Sequence, residues 1–332
     1  MTRLAILTTH PVQYYAPLFR EIADRIDLTV YYAHRATPEQ QAASGFGTAF
    51  DWDVDLLSGY PHRFLRNVAS SPNASAYAGC DAPEIGERLG EGGFDGLMTL
   101  GWHVKALHQG IWAAKRMGLP VMVRGDSQLG MRTGRFRRAA KALLYPSLLR
   151  VFDAVLAVGQ RNREYFRHYG YPGERIVSSP HAVDTETFGR GASGGARKQM
   201  RDRLGVAEDV PIVLFCGKLV PFKRPGDVLE AVASLRSNGL GAEMLMAGSG
   251  ELETHLQIRA EQLGVPLHAL GFVNQSRMPE VYASADVLVL PSTGRETWGL
   301  VANEALACGR PVVLSDAVGS APDLGDGVAG RL

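Results

Sequence analysis

Short apolar runs alternate with amphipathic stretches along most of the chain. Residues 4–8, 28–32, 94–100, 119–123 and 154–158 have the length and continuous apolar character of strands buried on both faces of a parallel sheet. Between them, residues 15–26 place Leu18, Ile22 and Ile26 on one helical face, and residues 103–117 predict a second helix. The rhythm becomes more regular later, with strands predicted at 212–216, 243–246, 267–270 and 287–290. Helices are predicted over 227–235, 252–263 and 300–307, with a short one before Val287. Strand and helix in alternation predict an α/β chain built of two doubly wound, Rossmann-like units. The run Gly-Arg-Gly-Ala-Ser-Gly-Gly at 189–195 has the composition of a flexible linker. It sets the expected division at 1–188, a linker at 189–196, and 197–332. Residues 34–59, rich in Ala, Gly, Gln and Thr, read as a long loop, of a size that is usually functional or disordered.

The candidate chemistry concentrates in V-L-V-L-P-S-T-G-R-E-T-W-G-L-V-A-N-E-A-L-A-C-G-R-P, residues 287–311. A strand runs into a polar loop carrying Glu296, and a helix carrying Glu304 follows Gly299. The first N–H groups of a helix lack intrahelical partners and attract phosphate. If the intervening residues were largely helical, the two carboxylates would lie on the order of 10 Å apart. That span suits a nucleotide sugar laid across the helix end. The bland alternative is two surface glutamates flanking a buried helix.

Acid, seven residues, acid, set in E-T-W-G-L-V-A-N-E-A-L-A-C-G-R-P-V-V, resembles the signature of family 4 retaining glycosyltransferases of the GT-B fold. The resemblance implies two Rossmann-like domains facing a central cleft and transfer of a sugar from a UDP- or GDP-sugar to a hydroxyl of unknown identity. It implies no metal and no cofactor beyond the nucleotide-sugar co-substrate. Glu296 is then expected at the donor sugar, and Glu304 at the ribose, with Gly299, Leu300 and Val301 at the diphosphate. F-C-G-K-L-V-P-F-K-R-P is similar to the family's G-R-L-x-x-x-K-G. Gly217, Lys218 and Lys223 match, Lys218 stands for arginine and Arg224 for glycine. Two fixed cations there would stabilise the charge that develops on a departing diphosphate, although lysine lacks the bidentate fork of arginine. Gly248 and Gly250 in A-G-S-G-E let backbone approach a ligand. Phe272 and Val273 in L-G-F-V resemble the segment whose backbone reads the base.

The first half matches less well. The chain has H-P-V-Q-Y-Y at 10–15 where relatives carry a glycine pair, Arg124 where they carry a histidine, and His181-Ala182 where Asn-Gly is usual. His10, His103 and Asp126 are the candidates for contacting the acceptor or the sugar, and His103 and Asp126 join Glu296 as candidate catalytic residues. A nucleotide-sugar epimerase or hydrolase of the same fold, or a nucleotide-sugar-binding protein without turnover, are the alternatives. The family's chain continues beyond the region matching G-V-A-G-R-L, so the sequence is expected to be C-terminally incomplete, with turnover impaired.

Composition narrows the partners. A formal net charge of +1 over 332 residues gives no global reason to expect nucleic acid. Three widely spaced cysteines make no C-x-x-C pair, which argues for a reducing, cytoplasmic setting and against a zinc site. No signal-peptide pattern or eighteen-residue apolar run is present. D-W-D-V-D at 51–55 superficially resembles a metal-binding D-x-D, but reads more simply as an alternating edge segment with solvated carboxylates. Residues 132–150 carry Arg132, Arg135, Arg137, Arg138, Lys141 and Arg150 and no acid. Such a stretch suits either a solvated helix face or peripheral contact with anionic lipid at the inner face of the membrane.

Overall fold

The computed structural model describes residues 2–129 and 134–325, without the side chains of Ser44, Arg135, Phe136 and Arg137. These residues form two compact units, each organised on a parallel sheet.

Unit 1 comprises residues 1–37 and 55–181. Its strands are β1 (Arg3–Thr8), β2 (Asp27–Tyr32), β3 (His62–Phe64), β4 (Gly96–Leu100), β5 (Val121–Gly125), β6 (Ala154–Ala157) and β7 (Ile176–Ser178), in the order β3-β2-β1-β4-β5-β6-β7. Burial on both faces explains the continuous apolar runs. Ala5, Leu7, Leu97, Val121, Val123 and Val155 pack into one hydrophobic cluster. Ile6, Leu28, Val30, Tyr32, Met98 and Leu100 pack into the other. The order reverses between β1 and β4. Ligands of open α/β sheets bind outside the carboxyl ends of strands at such a point, where His10 follows β1 and His103 follows β4.

Unit 2 comprises residues 38–54 and 182–332. Its strands are β8 (Ile212–Cys216), β9 (Glu243–Ala247), β10 (Leu267–Gly271), β11 (Val287–Leu290) and β12 (Val312–Leu314), in the order β10-β9-β8-β11-β12. The reversal falls between β8 and β11, the strands that precede Lys218 and Glu296. Arg201, fully buried on the helix Ala196–Leu204, ties the sheet's entrance together. It donates to Ser284 O, Ala207 O and Val210 O, and pairs with Asp286 at 2.7 Å. Asp286 also accepts from Ile212 N at the start of β8.

Two expectations about the division change. Residues 189–195 are not a free linker, because Asp184 caps a helix, Thr185–Gly191, by accepting from Thr187 N and Oγ1. That helix buries Phe188 in the unit 2 core. The chain therefore changes units between His181 and Ala182. Residues 34–59 are not one loop either. They include the helix Pro38–Gln41 and a π-helical turn, Ala42–Phe46, and residues 38–54 belong to unit 2 although both flanks belong to unit 1.

Candidate functional site

At the carboxyl end of β8 the backbone turns at Gly217, with φ of 144°. Gly248, at φ 147° beyond β9, lies so close that a Cβ on it would sit 1.9 Å from Gly217 O. Any side chain there would force the two strand ends apart, so the glycine is a requirement of packing. Gly250 is equally confined, its would-be Cβ 2.7 Å from Leu219 O. The chain then presents Lys218 and, through a short 3₁₀ turn, Lys223. Lys223 is paired with Glu296, and both side chains are 13% exposed. Ser292 Oγ donates to the same Glu296 oxygen at 3.3 Å. Backbone bonds hold the Glu296 loop, Thr293 N donating to Phe222 O at 2.8 Å and Gly319 N to Glu296 O at 2.9 Å. Burial and the neighbouring Lys223 ammonium lower the pKa of Lys218.

The helix Leu300–Ala307 starts after Gly299, which has φ of 90° and no side-chain cap. A Cβ on Gly299 would lie 2.6 Å from Leu290 Cδ2, and its φ is one that side-chain-bearing residues rarely adopt, so glycine suits this approach of the helix start to β11. Leu300 and Val301 supply its first N–H groups. Glu304 is buried one turn further on. Tyr282 OH donates to its Oε2 at 2.6 Å and Gln275 Nε2 to its Oε1 at 3.2 Å. Burial raises the Glu304 pKa, and these two donors oppose the rise. The residues between the two acids are only partly helical, since Glu296 sits on the loop and Glu304 in the helix. Val273 packs against the core beside β10.

In unit 1, the side chains at the sheet's reversal are histidines. Burial, then the positive fields of His34 and His103, holds His10 down to about 4. Its Nδ1 lies 2.9 Å from Thr9 Oγ1. His103 Nε2 lies 3.3 Å from Ala74 O. Arg124 turns inward, 2% exposed. It donates to Ser179 Oγ and O, Pro180 O and Tyr15 OH, so it braces the loop after β7. His181, within that loop, is held down to about 3 by burial and by Arg124. Asp126 is exposed beyond β5, and its charge acts on the half-buried Tyr14 and Tyr15.

Residues 196–332 match the family described as glycosyl transferases group 1, over the same segment that contains Lys218, Lys223, Glu296 and Glu304. Over this segment the chain is similar to that family. A D-inositol 3-phosphate glycosyltransferase of Streptomyces coelicolor is 31% identical over 254 residues, covering 68% of this chain and 55% of that one. One of Geodermatophilus obscurus is 38% identical over 181 residues, covering 51% and 39%. The chain thus spans about half the length of the curated relatives it matches. Among solved structures, the Anabaena protein HepE in complex with UDP aligns with a TM-score of 0.72 at 17% identity, covering 100% of this chain and 85% of that one. WaaG, a glycosyltransferase of lipopolysaccharide biosynthesis, aligns at 0.67 and 16%, covering 99% and 85%. The fold is that of the GT-B glycosyltransferases.

Within this glycosyltransferase fold, the structure joins Lys223 to Glu296, and surrounds Glu304 with two residues that sequence reasoning missed, Tyr282 and Gln275. Both lie in a stretch read only as a short helix, and nothing in its local pattern pointed at Glu304. The aspartates at 51–55 are not on an edge strand. Asp51 O accepts from Asn274 Nδ2, Asp53 accepts from Ser276 N and Oγ, and Asp55 folds back onto Leu57 N and Ser58. Among the described residues no three His, Cys, Asp or Glu side chains converge as metal ligands. Of the basic stretch 132–150, Arg132 lies outside the described residues. From Arg135 to Leu148 the chain is helical, with Leu143, Leu144 and Leu148 exposed, Leu143 at 79%. Among the described residues no helix is long and apolar enough to cross a membrane.

Proposed function

We propose that unit 2 binds a UDP- or GDP-sugar and that the protein transfers the sugar to a hydroxyl with retention of anomeric configuration and without a metal. The observation that carries this reading is the grouping at the unit 2 switch point. Lys218 and Lys223 follow β8, Glu296 follows β11 and pairs with Lys223, and the helix beginning at Leu300 starts beside them with Glu304 one turn on. Cations and N–H groups set before reaction stabilise a leaving diphosphate at no cost of reorganisation. With Lys223 on the diphosphate, Glu296 is released from its present ion pair to face the sugar. Glu304, held by Tyr282 and Gln275, keeps lone pairs for the ribose hydroxyls.

The acceptor-side contacts are assigned to His10, His103 and Asp126. Solved relatives include a complex with UDP and glucose, and curated ones a GDP-mannose-dependent phosphatidylinositol dimannoside mannosyltransferase of Mycobacterium tuberculosis. By that analogy the acceptor belongs to cell-envelope chemistry. The exposed Leu143, Leu144 and Leu148, with Arg138 and Lys141 on the same helix, then give the protein a peripheral foothold on anionic lipid at a cytoplasmic membrane face. Incubation with labelled UDP- and GDP-sugars tests the central reading. Transfer or slow donor hydrolysis with one donor is expected, insensitive to EDTA. Loss of activity on chelation and its return with manganese would refute the metal-free mechanism.

A further inference from the structure

Residues 38–54 leave unit 1 and lie on the three elements of unit 2 that carry the donor-site residues. On the β10 side, the Phe50 ring stacks on Phe272 with centroids 4.0 Å apart and planes at 29°. Phe46 closes edge-on against both, at 5.0 and 5.6 Å, and Trp52 stands edge-on to Phe50 at 5.0 Å. On the β8 side, the Lys218 ammonium sits 4.4 Å from the centre of the Phe46 ring. At the glycine turn, Ser249 Oγ donates to Phe46 O. Two further anchors fasten the end of the segment, Asn274 to Asp51 O at 2.7 Å and Ser276 to the Asp53 carboxylate.

We propose that this aromatic strap plugs the donor site of the ligand-free protein and that a nucleoside diphosphate must displace it to bind. The inference rests on the reading of unit 2 as a nucleotide-sugar site. At 4.0 Å the two rings are in contact, so a base cannot slip between Phe50 and Phe272 and takes that face only by removing Phe50. An ammonium on an aromatic face likewise gives up that contact to reach a phosphate. The strap is suited to release. Gly47, Thr48, Ala49, Asp51 and Asp53 are exposed, and the anchors at Asp51 and Asp53 lie at the surface, which places this end of the strap at the low-stability end of the fold. Gly45 at φ 105° and Gly47 at φ 71° give the turn backbone freedom that other residues lack. A plug lowers apparent affinity by the fraction of molecules in which the site is open. A strap docked in about nine molecules of ten costs about tenfold.

The test is titration calorimetry of UDP and of GDP with the parent chain, a Phe46→Ala/Phe50→Ala variant and an Asp53→Ala variant. Asp53 is exposed, so its variant keeps the fold even if loss of the buried Phe50 does not. The strap variants are expected to bind the preferred nucleotide about tenfold more tightly than the parent. In parallel, nucleotide should change tryptophan emission more in the parent than in Trp52→Phe, which keeps Trp298 beside the site, because Trp52 moves with the strap. Unchanged or weaker affinity in the folded strap variants would overturn the plug and make the segment a bystander or a wall of the site. Binding of neither nucleotide by any form would instead remove the donor-site reading, and the plug with it.

Discussion

Substituting Tyr282 by Phe should shift the pH at which nucleotide binding fails, leaving the fold intact. Tyr282 OH is buried and donates to Glu304 Oε2 at 2.6 Å, the shorter of the two bonds that hold this carboxylate. Glu304 must be ionised to accept both ribose hydroxyls, yet burial pushes its pKa up. The Tyr282 bond favours the ionised form, and a hydrogen bond to a charged group is worth about 1.5–3 kcal/mol. Its loss removes that support for the charged form and moves the Glu304 pKa further upward. The sign follows directly: binding needs the charged carboxylate, so affinity falls as pH drops through that pKa, and the fall begins at higher pH in the variant. Phe fills the same volume, and the hydroxyl's other contact, Cys216 Sγ at 3.6 Å, is weak. Calorimetric titration of UDP or GDP from pH 5 to 9 gives the acidic limb in each protein. A limb displaced to higher pH, with affinities converging at alkaline pH, is the expected result. An equal loss at every pH, or an unmoved limb, would show that Tyr282 does not act through the ionisation of Glu304.

Other outcomes follow from the same contacts. Lys223→Ala should slow transfer by about 10²–10³, the worth of one group aimed at developing charge. Glu296→Ala should lower turnover while leaving free UDP or GDP affinity nearly unchanged, and calorimetry beside initial rates separates the two. His10 and His181 are held down to about 4 and about 3. Because both resist protonation when folded, they contribute stability that is present above pH 6.5 and is lost as pH falls toward those values. His181→Asn should therefore flatten the acid limb of a melting-temperature profile over that window. Leu143→Asp with Leu144→Asp should abolish co-sedimentation with vesicles containing anionic lipid, without altering nucleotide affinity. Unchanged co-sedimentation would remove the membrane foothold.

The elements legible in the chain were those whose pattern is local. Residues 212–216 and 287–290 read as strands because a parallel strand buried on both faces needs only apolar side chains in succession, and both runs form strands with those bounds. Residues 300–307 read as a helix for an equally local reason, an apolar face at helical spacing. Glycines such as Gly248 and Gly299 could be noticed as turn residues, whereas what confines them is the backbone of Gly217 in one case and the side chain of Leu290 in the other. Lys223 and Glu296 were found through the spacing of a family motif, and the tertiary structure added that they pair with each other, 73 residues apart.

Only the tertiary structure decided the path of residues 38–54. Their composition is that of a loop, and their partners Asn274 and Ser276 lie 223 residues further on, a distance over which no local periodicity carries information. The same holds for Arg124, which the sequence showed only as standing where relatives carry a histidine. The fold aims it at carbonyls of the loop after β7, because a buried guanidinium must spend its donors on fixed acceptors. Residues 189–195 failed as a linker for a related reason. Glycine content describes the freedom of the unfolded chain, and the cap at Asp184 together with the burial of Phe188 outweighs that freedom once the core of unit 2 is present.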